Sequence, residues 1–130
     1  MKTLLPPGWP RPKGYSNGIS ATGRMIFTAG VVGWNEQEFL VSHRLDGQFA
    51  QALRNILAIL AEDGAGPEHI VRLTIYVTDI QEYISLRDEL APIWKSIMGA
   101  NYPAMALVEV KRLVEPSAKV EIEATAVVPE

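Results

Sequence analysis

Ser42 and His43 stand side by side like a nucleophile and its base, and His43 with His69 could begin a metal site. Neither reading fits the spacing. Neighbouring side chains point apart, so this pair does not build the hydrogen bond that activates a hydroxyl. The two histidines lie far apart with no third ligand at a useful spacing, so no metal is expected. There is no cysteine, which removes thiolate catalysis, thiolate metal sites and disulfides. Glu121 and Glu123 alternate with apolar residues near the C-terminus, a proline-rich segment near the N-terminus bears Arg11 and Lys13, and the stretch YPAMALVEVKRL, Tyr102 to Leu113, has Met105 near its start.

The elements that must position these residues follow from pattern. Leu5 to Gly14 carries four prolines and two glycines, which deny a helix and favour an extended arm over residues 1–14, ahead of a single domain at 15–130. Tyr15 to Thr22 and Met25 to Val31 are β-like and broken at Thr22-Gly23, so a hairpin is expected. Val32 to Leu45 has no firm period and is a loop with room for a short strand. A helix is expected from about Asp46, as its cap, to a stop at Gly64, because Phe49, Leu53, Ile56, Leu57 and Leu60 form one apolar stripe.

Beyond the Gly66 to His69 turn, Val71, Leu73, Ile75 and Val77 alternate with Arg72, Thr74 and Tyr76 as a strand does. Asp79 is placed to cap a second helix, which Pro92 should kink or break near Glu89 to Ala91. Met105 to Leu113 and Ala118 to Val128 form two last strands, paired through the turn at Glu115 to Ser117. The order gives an α+β protein: a two-layer sandwich of one sheet with two helices on one face.

In the last strand Val120, Ile122, Ala124 and Ala126 can lie beneath the helices while Glu121, Glu123 and Thr125 face away. On the strand before it Met105 and Leu107 share a face with Glu109 and Lys111. Two explanations of a mixed apolar and charged face stand open: a solvated sheet face, or sheets of several copies packed around an axis with polar clefts between them.

At 130 residues the chain is long enough for one core and one domain. Twelve Lys and Arg against fifteen Asp and Glu, with no basic run, give no electrostatic reason to expect nucleic acid. Prolines after Leu5 cut the first apolar run short, so neither a signal-peptide core nor a membrane span is expected, and the cytoplasm is the default setting.

The segments GYSNGISATGRMIFTAGVVG, LTIYVTDI and YPAMALVEVKRL with VEIEATAVV resemble the RidA/YjgF family from Gly14 onward. That resemblance implies a chorismate-mutase-like α+β fold with one mixed sheet. It also implies a homotrimer whose sheets form a central β-barrel and whose ligand clefts lie between neighbours. It further implies hydrolysis of enamines or imines to a carbonyl compound and ammonia, with no metal or cofactor and a small molecule as partner. One branch resembles 2-aminomuconate deaminases. The alternative it leaves is a non-catalytic, small-molecule-binding or regulatory trimer.

Carried over by position, the resemblance makes Tyr15 the site tyrosine, Gly30 the glycine whose backbone lines the cleft, and Glu121 the carboxylate that handles water. Four positions depart from the family pattern. Met105 stands where an arginine forks onto the substrate carboxylate, Leu107 replaces a frequent cysteine, Ala29 a frequent serine and Asp88 an asparagine. An arginine fork makes two charge-assisted hydrogen bonds of about 1.5 to 3 kcal/mol each, and methionine donates none. A ligand relying on that fork would bind about ten- to a thousandfold worse. Arg11 and Lys13 are the leading replacement cations, ahead of Arg87 and Lys111.

Overall fold

The computed structural model describes residues 1–130. Its main sheet has four strands, β3 (Arg24–Phe27), β4 (Ile70–Val77), β5 (Ala104–Glu109) and β6 (Val120–Val128), in the spatial order β3, β6, β4, β5. Helices α1 (Leu45–Ala61), α2 (Ile80–Ser85) and α3 (Arg87–Met98) make the second layer, so the protein is a mixed α+β sandwich.

The core lies between the layers. Leu45, Phe49, Leu53, Ile56 and Leu60 of α1 are buried against Leu73, Ile75 and Val77 of β4 and Val120, Ile122, Ala124 and Ala126 of β6. Both strands alternate as the period-two pattern predicts, with Arg72, Thr74, Tyr76, Glu121, Glu123 and Thr125 on the opposite face. No helix is long and apolar enough to cross a membrane.

Several connections differ from expectation. The hairpin between Tyr15 to Thr22 and Met25 to Val31 does not form. Gly18–Ser20 (β2) pairs instead with Lys2–Leu4 (β1) of the arm, and β3 pairs with β6 across the whole length of the chain. The strand beginning at Ala104 pairs with β4, in parallel, and not with β6. Parallel neighbours need a long crossover, and α2 with α3 supplies it.

This register corrects the face assigned to Met105 and Leu107. They stand beside Leu73 and Ile75 and pack against the core, so Ala106 and Val108 are the β5 residues on the open face.

Asp79 caps α2 as expected, accepting the N–H groups of Gln81 and Glu82 at 3.0 and 3.1 Å. Asp46 does not cap α1. Arg44 holds the cap position, and Asp46 sits in the first turn, accepting from Gly47 N–H and the Arg44 guanidinium. Those bonds hold its carboxyl below the usual aspartate range. The break in the second helix falls at Leu86, six residues before Pro92, which α3 accommodates.

Candidate functional site

The path of residues 28–31 along β6, with the loop that follows to residue 36, builds the best-formed part of the site. Thr28 N–H donates to Ala124 O, and Val31 exchanges both backbone bonds with Ile122 at 2.8 and 2.9 Å. Gly30 is thereby pressed against Glu121, the residue before Ile122. A Cβ on Gly30 would collide with the Glu121 carboxylate, so glycine is what lets this backbone and this acid share the position.

The two residues open into a cavity of about 600 Å3, whose wall also includes Trp34, Glu36, Asn55 and Glu115. Glu121 is half-buried and accepts no hydrogen bond within the chain, so its oxygens are available to water or ligand. The indole N–H of Trp34 is buried without an acceptor, a second unused polar group beside the same hollow.

Helix α1 fixes this wall through amides. Asn55 donates to the carbonyls of Val32 and Trp34 at 3.0 and 2.9 Å, and Gln51 donates to Asn55. Gln48 is fully buried. It donates to Ser42 O and Ser117 O and accepts Lys119 N–H at 2.7 Å, tying the turn before β6 to the start of the helix. Gly33 permits the approach, since a Cβ there would lie 2.8 Å from the Gln48 backbone.

On the open face beyond the cavity, Tyr76 donates its hydroxyl to Glu123 Oε1 at 2.7 Å. That bond, with some burial, raises the phenol above its ordinary value and keeps it a donor.

Tyr15 lies elsewhere. Ser16 pairs with Ala104, its N–H bonding Pro103 O at 3.0 Å and its hydroxyl bonding Tyr102 O, which sets Tyr15 at the start of β5. Trp94 stacks on Tyr102 with ring centroids 6.0 Å apart and backs this region. Met105 and Leu107 continue along the same strand.

The sequence-derived residues therefore fall into two groups within one chain. Gly30 and Glu121 meet in the cavity, with Ala29 adjacent and exposed. Tyr15, Met105 and Leu107 lie along β5, with β4 between that strand and β6. Asp88 is exposed in the first turn of α3, and Arg11 is exposed and makes no ion pair. Ser42 accepts Arg44 N–H, and His69 accepts Gly66 N–H at 3.0 Å, which gives both of them local roles.

The sequence reading passed over Trp34, Gln48, Gln51 and Asn55. A signal was available for three of them, because Gln48, Gln51 and Asn55 follow helical spacing beside an apolar stripe.

The fold and this cavity define a small mixed α+β protein that can hold a ligand at a sheet edge beside a free carboxylate. The chain belongs to the RidA/YjgF family: the model described as Endoribonuclease L-PSP matches residues 10–128. A RutC family protein of Aquifex aeolicus is 34% identical over 98% of this chain and 99% of its own length. The Escherichia coli protein named 2-iminobutanoate/2-iminopropanoate deaminase is 32% identical over 87% of this chain and 86% of its own. Among solved structures, the Rid family protein YyfB of Yersinia pestis matches with a TM-score of 0.85 at 32% identity, covering 98% of both chains.

Proposed function

We propose that this protein is a hydrolytic deaminase of an enamine or imine, acting at clefts between the copies of a homotrimer. The contact of Gly30 with an unpaired Glu121 inside a cavity of about 600 Å3 carries the reading. Similarity to relatives named as imine deaminases supports the reaction class.

Water and an imine give a carbonyl compound and ammonia. Glu121 takes one proton from water as the oxygen attacks the C=N carbon and passes it to nitrogen, giving a carbinolamine. It then carries the remaining hydroxyl proton to nitrogen as the C–N bond breaks and the carbonyl forms, so both water protons leave with ammonia. The Gly30 backbone and the Tyr15 hydroxyl orient the ligand. An enamine first gains a proton on carbon to become the imine.

The trimer joins the two groups of site residues, setting Tyr15 and Met105 of one copy opposite Gly30 and Glu121 of the next. Exposed apolar residues on the open face favour such assembly: Phe27 is 67% exposed, Met25 57% and Val108 43%. Methionine at 105 argues against a small 2-imino acid gripped by an arginine at that position. A larger substrate resembling 2-aminomuconate, itself a dicarboxylate, needs a cation from elsewhere to offset Glu36, Glu115 and Glu121 around the cavity, and Arg11 and Lys13 are the leading candidates.

Ammonia release from a panel of enamines and imines tests the proposal. Native protein should release it, and Glu121→Ala should be slower by about a hundred- to ten-thousandfold. Absence of release from every panel member would refute the reading. A second reading, a ligand-binding trimer without catalysis, draws on Met105 alone; binding of panel compounds without turnover would favour it.

A further inference from the structure

The loop joining β5 to β6 carries a second cavity, also about 600 Å3, with walls of the opposite charge. Lys111, Arg112 and Lys119 line it with Thr78 and Ser117, and no carboxylate does. Around Gly30 and Glu121 the charged lining residues are Glu36, Glu115 and Glu121. Val114 borders both hollows.

Three cations around one hollow repel one another unless an anion or solvent screens them. Lys119 has a partner within the chain, Glu82 at 3.1 Å. Lys111 and Arg112 form no ion pair. The backbone N–H groups from Lys111 to Glu115 bond no protein acceptor either. Five backbone donors and two unpaired cations thus stand along one short segment. The end of the loop is fixed from behind, where buried Gln48 bonds Ser117 O and Lys119 N–H and Ala118 N–H bonds Glu115 O. Charge-assisted bonds from guanidinium and ammonium suit oxyanions.

We propose that the 111–119 loop is a binding site for a small oxyanion, the carboxylate or phosphate group of a metabolite, separate from the Glu121 cavity. Two unpaired cations, Lys111 and Arg112, beside one hollow suit a single such group. A polynucleotide would need a row of them along a groove.

Amide NMR titrations of the full chain with inorganic phosphate and with acetate, at constant ionic strength, test this. Saturable shifts should concentrate on the amides of Lys111 to Glu115, since Ser117 N–H already donates to the Glu115 carboxylate at 3.4 Å. The K111Q/R112Q double variant should bind at least about tenfold more weakly, on the charge-assisted bonds it loses. Should that variant fail to fold, the single variants carry the test, each weakening binding about threefold. Tighter phosphate identifies a phosphate ligand and tighter acetate a carboxylate. Glu121→Ala should leave the titration unchanged, so the site stands or falls apart from the deaminase reading. Shifts that never saturate, or that the variants leave intact, overturn the proposal. So does a short oligouridylate binding these amides more tightly than phosphate.

Discussion

The two groups of site residues differ in how the chain supports them. Around Glu121 the chain supplies a fixed wall: Val31, next to Gly30, is pinned by two bonds to Ile122, and the segment that follows is held by Asn55. Around Tyr15 it supplies an open surface, with that ring 44% exposed and Met105 turned toward the core beside Leu73. Under the proposed function Glu121 is a base, and a base must be positioned before substrate arrives, so its carboxylate needs its own scaffold. A group that only orients ligand can be completed by whatever docks against it, and an exposed tyrosine on a sheet edge suits that task.

Substitutions at each group should separate along this line. After Glu121→Ala itself, the largest effect is expected from Gly30→Ala, whose new methyl displaces the Glu121 carboxylate. Turnover should fall about a hundredfold, as a misplacement of that order costs, while circular dichroism stays native. Unchanged turnover would show that the close approach is dispensable.

Met105→Arg should act on specificity. The side chain is half-buried at the end of the sheet, where a longer stem can reach solvent. With the fork restored, kcat/KM for a small 2-imino acid should rise at least about tenfold over the native protein. A rise equal for carboxylate-free imines would contradict the role given to this position.

The smallest catalytic effects come from the supports, and here the contrast is in stability. Gln48→Leu takes the shared partner of Ser42 O, Ser117 O and Lys119 N–H from a fully buried position and should cost about 2 to 3 kcal/mol in urea unfolding. Ser16→Ala removes an exposed bond to Tyr102 O and should cost less than about 1 kcal/mol. Equal losses would erase the distinction between a scaffolded and an open half.

What was legible in the sequence depended on whether the determining contact was local. The Asp79 cap and the alternation of β4 and β6 need only a few neighbouring residues, and both hold in the structure. Asp46 failed as a cap because Arg44, two residues earlier, already starts the helix and claims the carboxylate.

The partner of β5 was not legible. A short turn at Glu115 to Ser117 suggests a hairpin with β6, whereas β5 pairs beside β4 through a crossover whose docking no local pattern records. The face of Met105 followed that register, since the partner strand decides which alternate residues meet the helices.

Gly30 and Glu121 were reached only through the family resemblance. Their contact spans most of the chain and depends on Val31 pairing with Ile122. Gln48 and Asn55 could have been noticed as polar residues beside an apolar stripe, but their acceptors are backbone carbonyls in loops that the sequence leaves undefined.

The proposed function requires that a working site take Tyr15 from one copy and Glu121 from another. Mixing Tyr15→Ala protein with Glu121→Ala protein under subunit exchange tests it directly, because each variant damages a different half. If the halves come from neighbouring copies of a trimer, random mixing of two inactive proteins restores about a quarter of the native sites, and ammonia release recovers in that proportion. If both halves of each site come from one chain, the mixture stays as inactive as its components, and the intersubunit cleft is wrong.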